Sequence, residues 1–418
     1  MWLDKLLKLE PAERPAVIWA FGYFFCLLCA YYMLRPVRDA MGIAGGVDKL
    51  QWLFTATFLV MLLAVPLYGW ATRRYPRHRL LPGIYGFFIC NLLVFYFLFK
   101  IQWQPGWLAR VFFVWLSVFN LFVVSVFWSF MTDLFSQARA RRLFGLIAAG
   151  GSAGAIAGPA VTTLISTSID AAGLMLISAG LLALTLLCIH FLISWADLNQ
   201  PHSGTHAGGE ALGGSLLAGF RLLLQSRYLL GIASYILLYT TLATFLYFEQ
   251  AHIVKQAFSS SAERIQLFAS IDLLVNCLTI ITQLFITSRL VERFGLSIVL
   301  AIVPLLMVIG FVLLGASPIL VTLLVFQVIR RAGNYAIAKP AREMLFTVLS
   351  REEKYKAKNV LDTVVYRGGD AISGWLFAGL MAIGTGLTGI AFVGALLAVL
   401  WAANGWWLGR QARSTESN

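Results

Sequence analysis

The sequence predicts an all-α polytopic membrane protein with about twelve transmembrane helices, and three observations predict it. Of the 418 residues, 60% are hydrophobic and only 12% are charged, where a soluble domain carries about 25% charged residues. Apolar stretches recur along the whole chain, each near the ~20 residues that a helix needs to cross hydrocarbon. The Lys and Arg residues that make the net charge +13 gather in alternate short loops, which is the pattern of membrane orientation.

The spans fall at 15–34, 50–71, 80–99, 107–131, 144–166, 172–195, 228–249, 265–288, 296–315, 319–338, 360–384 and 387–407. The first follows the polar segment MWLDKLLKLEPAER and is too long and too aromatic for a cleaved signal sequence. Basic loops, such as Arg73-Arg74-Tyr-Pro-Arg77-His-Arg79 and Arg351 to Lys358, place both termini in the cytoplasm, and anionic lipid accounts for the positive balance. Tryptophans near span ends, among them Trp52, Trp70, Trp103, Trp107 and Trp406, suit interfacial belts. No basic patch is interleaved with exposed aromatics, so nucleic acid is not an expected partner. Membrane lipid is, and the chain is expected to work as a monomer.

After the sixth span the sequence ADLNQPHSGTHAGGEALGG reads as a polar, glycine-rich linker. It divides the chain into a first bundle (1–195), the linker (196–214) and a second bundle (215–418) of similar length. The loop after the second span of each half has a related pattern, Gly69-Trp-Ala-Thr-Arg73-Arg74-Tyr-Pro76-Arg77 and Ser288-Arg-Leu-Val-Glu292-Arg293-Phe-Gly295. The fifth span carries Gly150, Gly151, Gly154, Gly158 and Pro159; glycines four apart let two helices approach closely.

Charges inside the spans are the strongest functional signal. Arg330 and Arg331 lie within the tenth span, and Asp362, Arg367 and Asp370 interrupt the eleventh. Each costs at least roughly 2.5–3.5 kcal/mol in hydrocarbon, so such groups pair with one another or handle solute in a polar pathway. Helical spacing puts Arg35, Arg38 and Asp39 on one surface, Gln327, Arg331 and Asn334 on a second, and Asp362, Tyr366 and Asp370 on a third. Asp272 stands alone among apolar neighbours in the eighth span, either as a proton carrier or as a counter-charge to Arg330 or Arg331. Cys26-x-x-Cys29 has metal-like spacing but no nearby His, so packing explains it and no metal is expected. No phosphate loop or nucleophile elbow occurs in a polar segment, which excludes an enzyme or an ATP-driven pump and leaves no cofactor to expect.

The paired loops and the Gly-xxx-Gly-Pro of the fifth span resemble motifs of the major facilitator superfamily, whose fold is two six-helix repeats. Within it, Pro340-Ala-Arg342-Glu343-Met344 with the Glu/Lys-rich loop up to Asp362 resembles the ATP/ADP translocase family of plastids and intracellular bacteria. Tyr31-Tyr-Met-Leu34-Arg35-Pro-Val-Arg38-Asp39 and Val124-Ser-Val-Phe-Trp128-Ser-Phe130 agree with it, as does Glu249, where that family also has an acidic residue. The chain departs from the family at Arg38, where a lysine is usual, and at Asp370, where a lysine-containing run is usual.

The resemblance implies a secondary active transporter working by alternating access in the inner membrane of a bacterium. The charges favour a small anionic or zwitterionic solute, with proton or exchange coupling. Nucleotide exchange, proton-driven efflux of amphiphiles and a lipid-handling or non-transporting role are the alternatives. Arg35, Arg38, Arg331, Asn334, Tyr366 and Arg367 are the expected binding residues. Glu249, Asp272, Asp362 and Asp370 are the expected coupling residues, and Arg73, Arg74, Glu292 and Arg293 the expected gating residues.

Overall fold

The computed structural model describes residues 10–75, 77–199 and 216–416, so the linker is outside the described residues from position 200 onward. Within them the chain is helical and contains no strand. Helices α1 (Arg14–Ala44), α2 (Leu50–Arg74), α3 (Arg77–Lys100), α4 (Pro105–Leu134), α5 (Gln137–Ile165) and α6 (Ala171–Asn199) precede the linker. After it come a short α7 (Leu216–Gln225), then α8 (Arg227–Ala257), α9 (Ser261–Thr282), α10 (Ser288–Ala316), α11 (Leu320–Gly333), α12 (Lys339–Met344), α13 (Arg351–Val360), α14 (Tyr366–Ala382) and α15 (Gly386–Glu416).

Nine segments of the described chain are long and apolar enough to cross a membrane, and one of them, Ser261–Ala316, is 56 residues long. That segment is two spans joined at Gly295, whose backbone turns at φ 72°, ψ 166°. Only glycine reaches such a conformation without strain. The tenth and eleventh spans carry the charges that keep them below an apolar threshold, and each is interrupted by a π-helical turn, at Asn334–Ala338 and Leu361–Val365. A third π turn, Gln283–Thr287, interrupts the eighth span. A π turn frees backbone carbonyls, which must find donors in hydrocarbon. Gln283 Nε2 donates to the Tyr335 carbonyl at 3.2 Å and Thr287 Oγ1 to the Ala336 carbonyl at 2.8 Å, so one π turn satisfies another.

The described residues form two compact units. Unit 1 comprises 10–46, 59–75, 77–199 and 258–273; unit 2 comprises 47–58, 216–257 and 274–416. Relative to a division at the linker, two helix starts therefore group with the opposite half. Tryptophan packing explains the first: Trp375 Nε1 donates to Thr55 Oγ1 at 3.0 Å, and Trp52 meets the Trp375 ring at 4.7 Å. The second follows from Gln266 Nε2, which donates to the Thr163 carbonyl.

In unit 1, α5 packs against α1 through its glycines. A Cβ on Gly150, Gly154 or Gly158 would lie 2.5, 2.3 or 2.6 Å from the carbonyl oxygens of Phe21, Phe25 and Cys29. Both rows have a four-residue step, so the two backbones touch along a ridge, as small-xxx-small packing requires. At the end of this pair Glu13, fully buried, accepts from Arg142 Nη2 at 2.9 Å and lies 3.1 Å from Arg139 Nε. In unit 2 the same device joins α10 and α15: a Cβ on Gly409 would lie 2.4 Å from Ser297 Cα, and one on Gly405 2.9 Å from the Leu300 carbonyl.

Gly154→Ala is expected to lower the unfolding midpoint of the detergent-solubilised protein, by an amount corresponding to ~1–3 kcal/mol of overpacking. Gly145→Ala, on the same helix with open space around the new methyl, is expected to be neutral or slightly stabilising. Equal effects of the two substitutions would show that the contact with α1 is not what the glycines serve.

Candidate functional site

The intramembrane charges are handled in different ways, and the differences identify the site. In unit 1, Arg35 and Arg38 follow one another by one helical turn on α1. Arg35 Nη1 lies 3.7 Å from Asp272 Oδ1, so Asp272 is a counter-charge to Arg35. Arg38 turns to its own neighbour, Asp39, with its Nε and Nη2 at 3.0 and 2.7 Å from Oδ1, and its guanidinium lies over the Phe113 ring. The three residues expected on one surface thus separate into two pairs.

In unit 2 a first group gathers where α12, α13 and the Leu361–Val365 turn meet. Arg342 Nη2 lies 3.5 Å from both Glu343 Oε1 and Asp362 Oδ1, and Lys358 Nζ donates to Glu343 Oε2. Partial burial raises the Glu343 carboxyl, but Lys358 and Arg342 outweigh it and hold the group below its ordinary value. Asp362 is 40% exposed and belongs to this group. It does not share a stripe with Tyr366 and Asp370, because the π turn between them is wider than an α turn and changes the angle between their side chains.

The second group of unit 2 lies deeper. Arg367 Nη1 is 3.6 Å from Asp370 Oδ2, one turn on, with its guanidinium over the Tyr366 ring. That ring lies 6.0 Å from Tyr239 of α8, and Tyr239 in turn lies 5.7 Å from Trp401. On α11, Arg330 and not Arg331 reaches the stripe residue: Gln327 Oε1 accepts from Arg330 Nε at 3.0 Å and Nη2 at 2.8 Å. Gln327 Nε2 donates to Gln250 Oε1. Among the described residues no carboxylate lies within ion-pairing distance of Arg330, which is 7% exposed. Arg331 is equally buried, and Asn334 begins the π turn that follows it.

Glu249, next to Gln250 on α8, is 1% exposed, and among the described residues neither carboxyl oxygen has a hydrogen-bond partner. A polar group so enclosed and unsatisfied is expensive in an apolar surround and marks function more often than structure.

The expected gating residues are described one unit at a time. Glu292 and Arg293 are exposed; Glu292 makes no ion pair among the described residues, and Arg293 lies over the Phe294 ring. Arg74 is exposed and the Arg73 side chain is outside the described residues. Among the described residues no cluster of His, Cys, Asp and Glu has the makings of a metal site. Sequence reasoning missed Gln250, Tyr239 and the role of Arg330. Gln250 carried a signal, a second polar residue beside Glu249 in an apolar span; Tyr239 in so aromatic a chain carried none.

Comparison with known proteins then places the chain. It is 24% identical to "ADP,ATP carrier protein 2" of Chlamydia trachomatis serovar D, over 90% of this chain and 84% of that protein. It is 22% identical to "ADP,ATP carrier protein 2" of Chlamydia pneumoniae, over 97% and 89%. Among solved structures, the nucleoside transporter NupG superposes with a TM-score of 0.67 at 16% identity, covering 96% of this chain and 99% of that one. A bacterial homologue of the iron transporter ferroportin gives 0.64 at 14% identity, covering 95% and 100%. The family model of the Major Facilitator Superfamily matches residues 19–262, more than half of the sequence, and the chain belongs to that superfamily of membrane transporters.

Proposed function

We propose that this chain moves a small anionic or zwitterionic solute by alternating access, coupled to protons or to counter-exchange, in a bacterial inner membrane with both termini cytoplasmic. One observation carries the choice of charge. Arg330 is a buried guanidinium whose partner is a neutral amide, so the interior of unit 2 holds a positive charge that no carboxylate balances. A charge kept in that state in hydrocarbon is costly unless an anion arrives to pair with it. Arg367, already paired with Asp370, contributes a dipole that suits a zwitterion better than a polyanion.

Nucleotide exchange is the second reading, and the two chlamydial relatives named as ADP,ATP carriers favour it. Against it stands Asp370, whose carboxylate repels a polyphosphate unless Arg367 stays paired with it. A panel of labelled solutes in proteoliposomes separates the readings: mono- and dicarboxylates, sugar phosphates, amino acids and ATP/ADP. Saturable uptake of a small carboxylate or monophosphate, without ATP/ADP exchange, is the expected result. Saturable uptake of organic cations alone would contradict it.

Coupling is assigned to Glu249. A carboxyl enclosed without a donor can cross the membrane interior only in its neutral form, and must reach water or a cation to ionise. Gln at this position keeps the shape and removes the exchangeable proton. Glu249→Gln is therefore expected to retain solute counter-exchange while losing accumulation driven by an inward proton gradient, a fall of about tenfold or more in the accumulation ratio. Unchanged pH-driven accumulation in this variant would remove Glu249 from the coupling step.

A further inference from the structure

The Gln250–Gln327–Arg330 chain has a direction. A guanidinium carries only donors, so the group that Gln327 turns toward Arg330 has to be its carbonyl oxygen. Its amide nitrogen then points the other way and donates to Gln250 Oε1. Both amide oxygens are engaged, which leaves Arg330 Nη1 and Gln250 Nε2 as the nitrogens of the trio that donate to none of its members. Among the described residues neither atom has a hydrogen-bond partner, and neither is among the fully enclosed polar atoms. The chain spans two helices, α8 and α11, and its three side chains are 5%, 2% and 7% exposed.

The choice of amide at position 327 decides what this arrangement does. A glutamate has nearly the same shape and would hold the guanidinium at the same two nitrogens. It would also neutralise the charge, and a paired arginine attracts an anion far less. We infer that Gln327, held in register by Gln250, is a positioning and specificity-determining residue. It fixes the Arg330 guanidinium by two hydrogen bonds while leaving its charge uncompensated. Arg330 Nη1 and Gln250 Nε2 then serve as converging donors for an oxyanion group of the solute, a carboxylate or a phosphate. This rests on the anionic reading proposed above and names the residues that would enforce it.

The test compares wild type, Gln327→Glu, Gln327→Met and Gln250→Met, each the full chain in proteoliposomes, using labelled succinate, inorganic phosphate and ADP as probes. Thermal unfolding in detergent is measured in parallel. For the probe that wild type carries, Gln327→Glu is expected to raise the apparent KM by about tenfold or more with an unfolding midpoint equal to or above that of wild type. Gln327→Met, which removes both hydrogen bonds and adds no charge, is expected to raise KM several-fold with little change in kcat, and Gln250→Met less. A wild-type KM in Gln327→Glu overturns the inference while leaving anion transport itself intact. Should Gln327→Glu fail to fold, Gln327→Met decides, and an unchanged KM there overturns it equally. If wild type carries none of the three, the same variants are compared on the anion it carries from the panel above, and a wild type that carries no anion of that panel contradicts the anionic reading and the inference together.

Discussion

Hydrocarbon tolerates a charge only when something in the protein or a ligand answers it, and this constraint organises every polar feature of the molecule. Arg35 is answered by Asp272, Arg38 by Asp39, Arg367 by Asp370 and Arg342 by Glu343 and Asp362. Each of these is an ion pair with a defined partner, and each leaves its neighbourhood close to neutral. Arg330 is answered by an amide alone. The contrast is informative: where Arg35, Arg38, Arg342 and Arg367 each have a carboxylate, Arg330 has a glutamine where a glutamate would serve. Glu249 is the mirror case, an acid enclosed without a donor. In the function proposed above, Arg330 receives the negative charge of the solute and Glu249 carries the proton.

The same solvent constraint shapes the backbone. Three spans of unit 2 contain a π turn, and the carbonyls freed at Tyr335 and Ala336 are recovered by side chains of another π turn rather than by water. Irregular backbone at membrane depth survives only where protein satisfies it. These turns flank the polar residues, one directly after Arg330 and Arg331 and one directly before Tyr366 and Arg367. The glycine ridges of α5 and α15 do the opposite work. They bring helix backbones into contact along straight stretches, where packing must replace the hydrophobic drive that hydrocarbon cannot supply.

The fold was largely legible in the sequence, because span length, loop charge and the two related loops are set by the bilayer and survive in the residue pattern. The ridge of Gly150, Gly154 and Gly158 was legible for the same reason, while its partners, the backbone carbonyls of Phe21, Phe25 and Cys29, were not. The site was legible only in part. Straight α-helical spacing put Asp362 with Tyr366 and Asp370, and a π turn that leaves no mark in composition moved it to Arg342. Spacing also favoured Arg331 over Arg330, although residues three and four apart are both neighbours on a helix. Gln250 carried only the weak signal of a second polar residue beside Glu249, because its significance lies in a hydrogen bond to another helix. The grouping of 47–58 and 258–273 depends on contacts, such as Trp375 with Thr55, that no spacing reveals.

The central claim is that Arg330 is kept buried, charged and uncompensated for an anion, and that stability does not require it. Replacing it with methionine keeps a flexible, unbranched stem, though a shorter one, and removes the charge. The most direct measurement is thermal unfolding of purified wild type and Arg330→Met in detergent, with and without the anion that wild type transports. The account predicts that without anion the variant unfolds at a temperature no lower than wild type, since an unanswered charge has been removed from hydrocarbon. It also predicts that the anion stabilises wild type alone. A variant that unfolds far below wild type without anion, or one that the anion stabilises equally, would show that Arg330 belongs to the architecture and not to the solute.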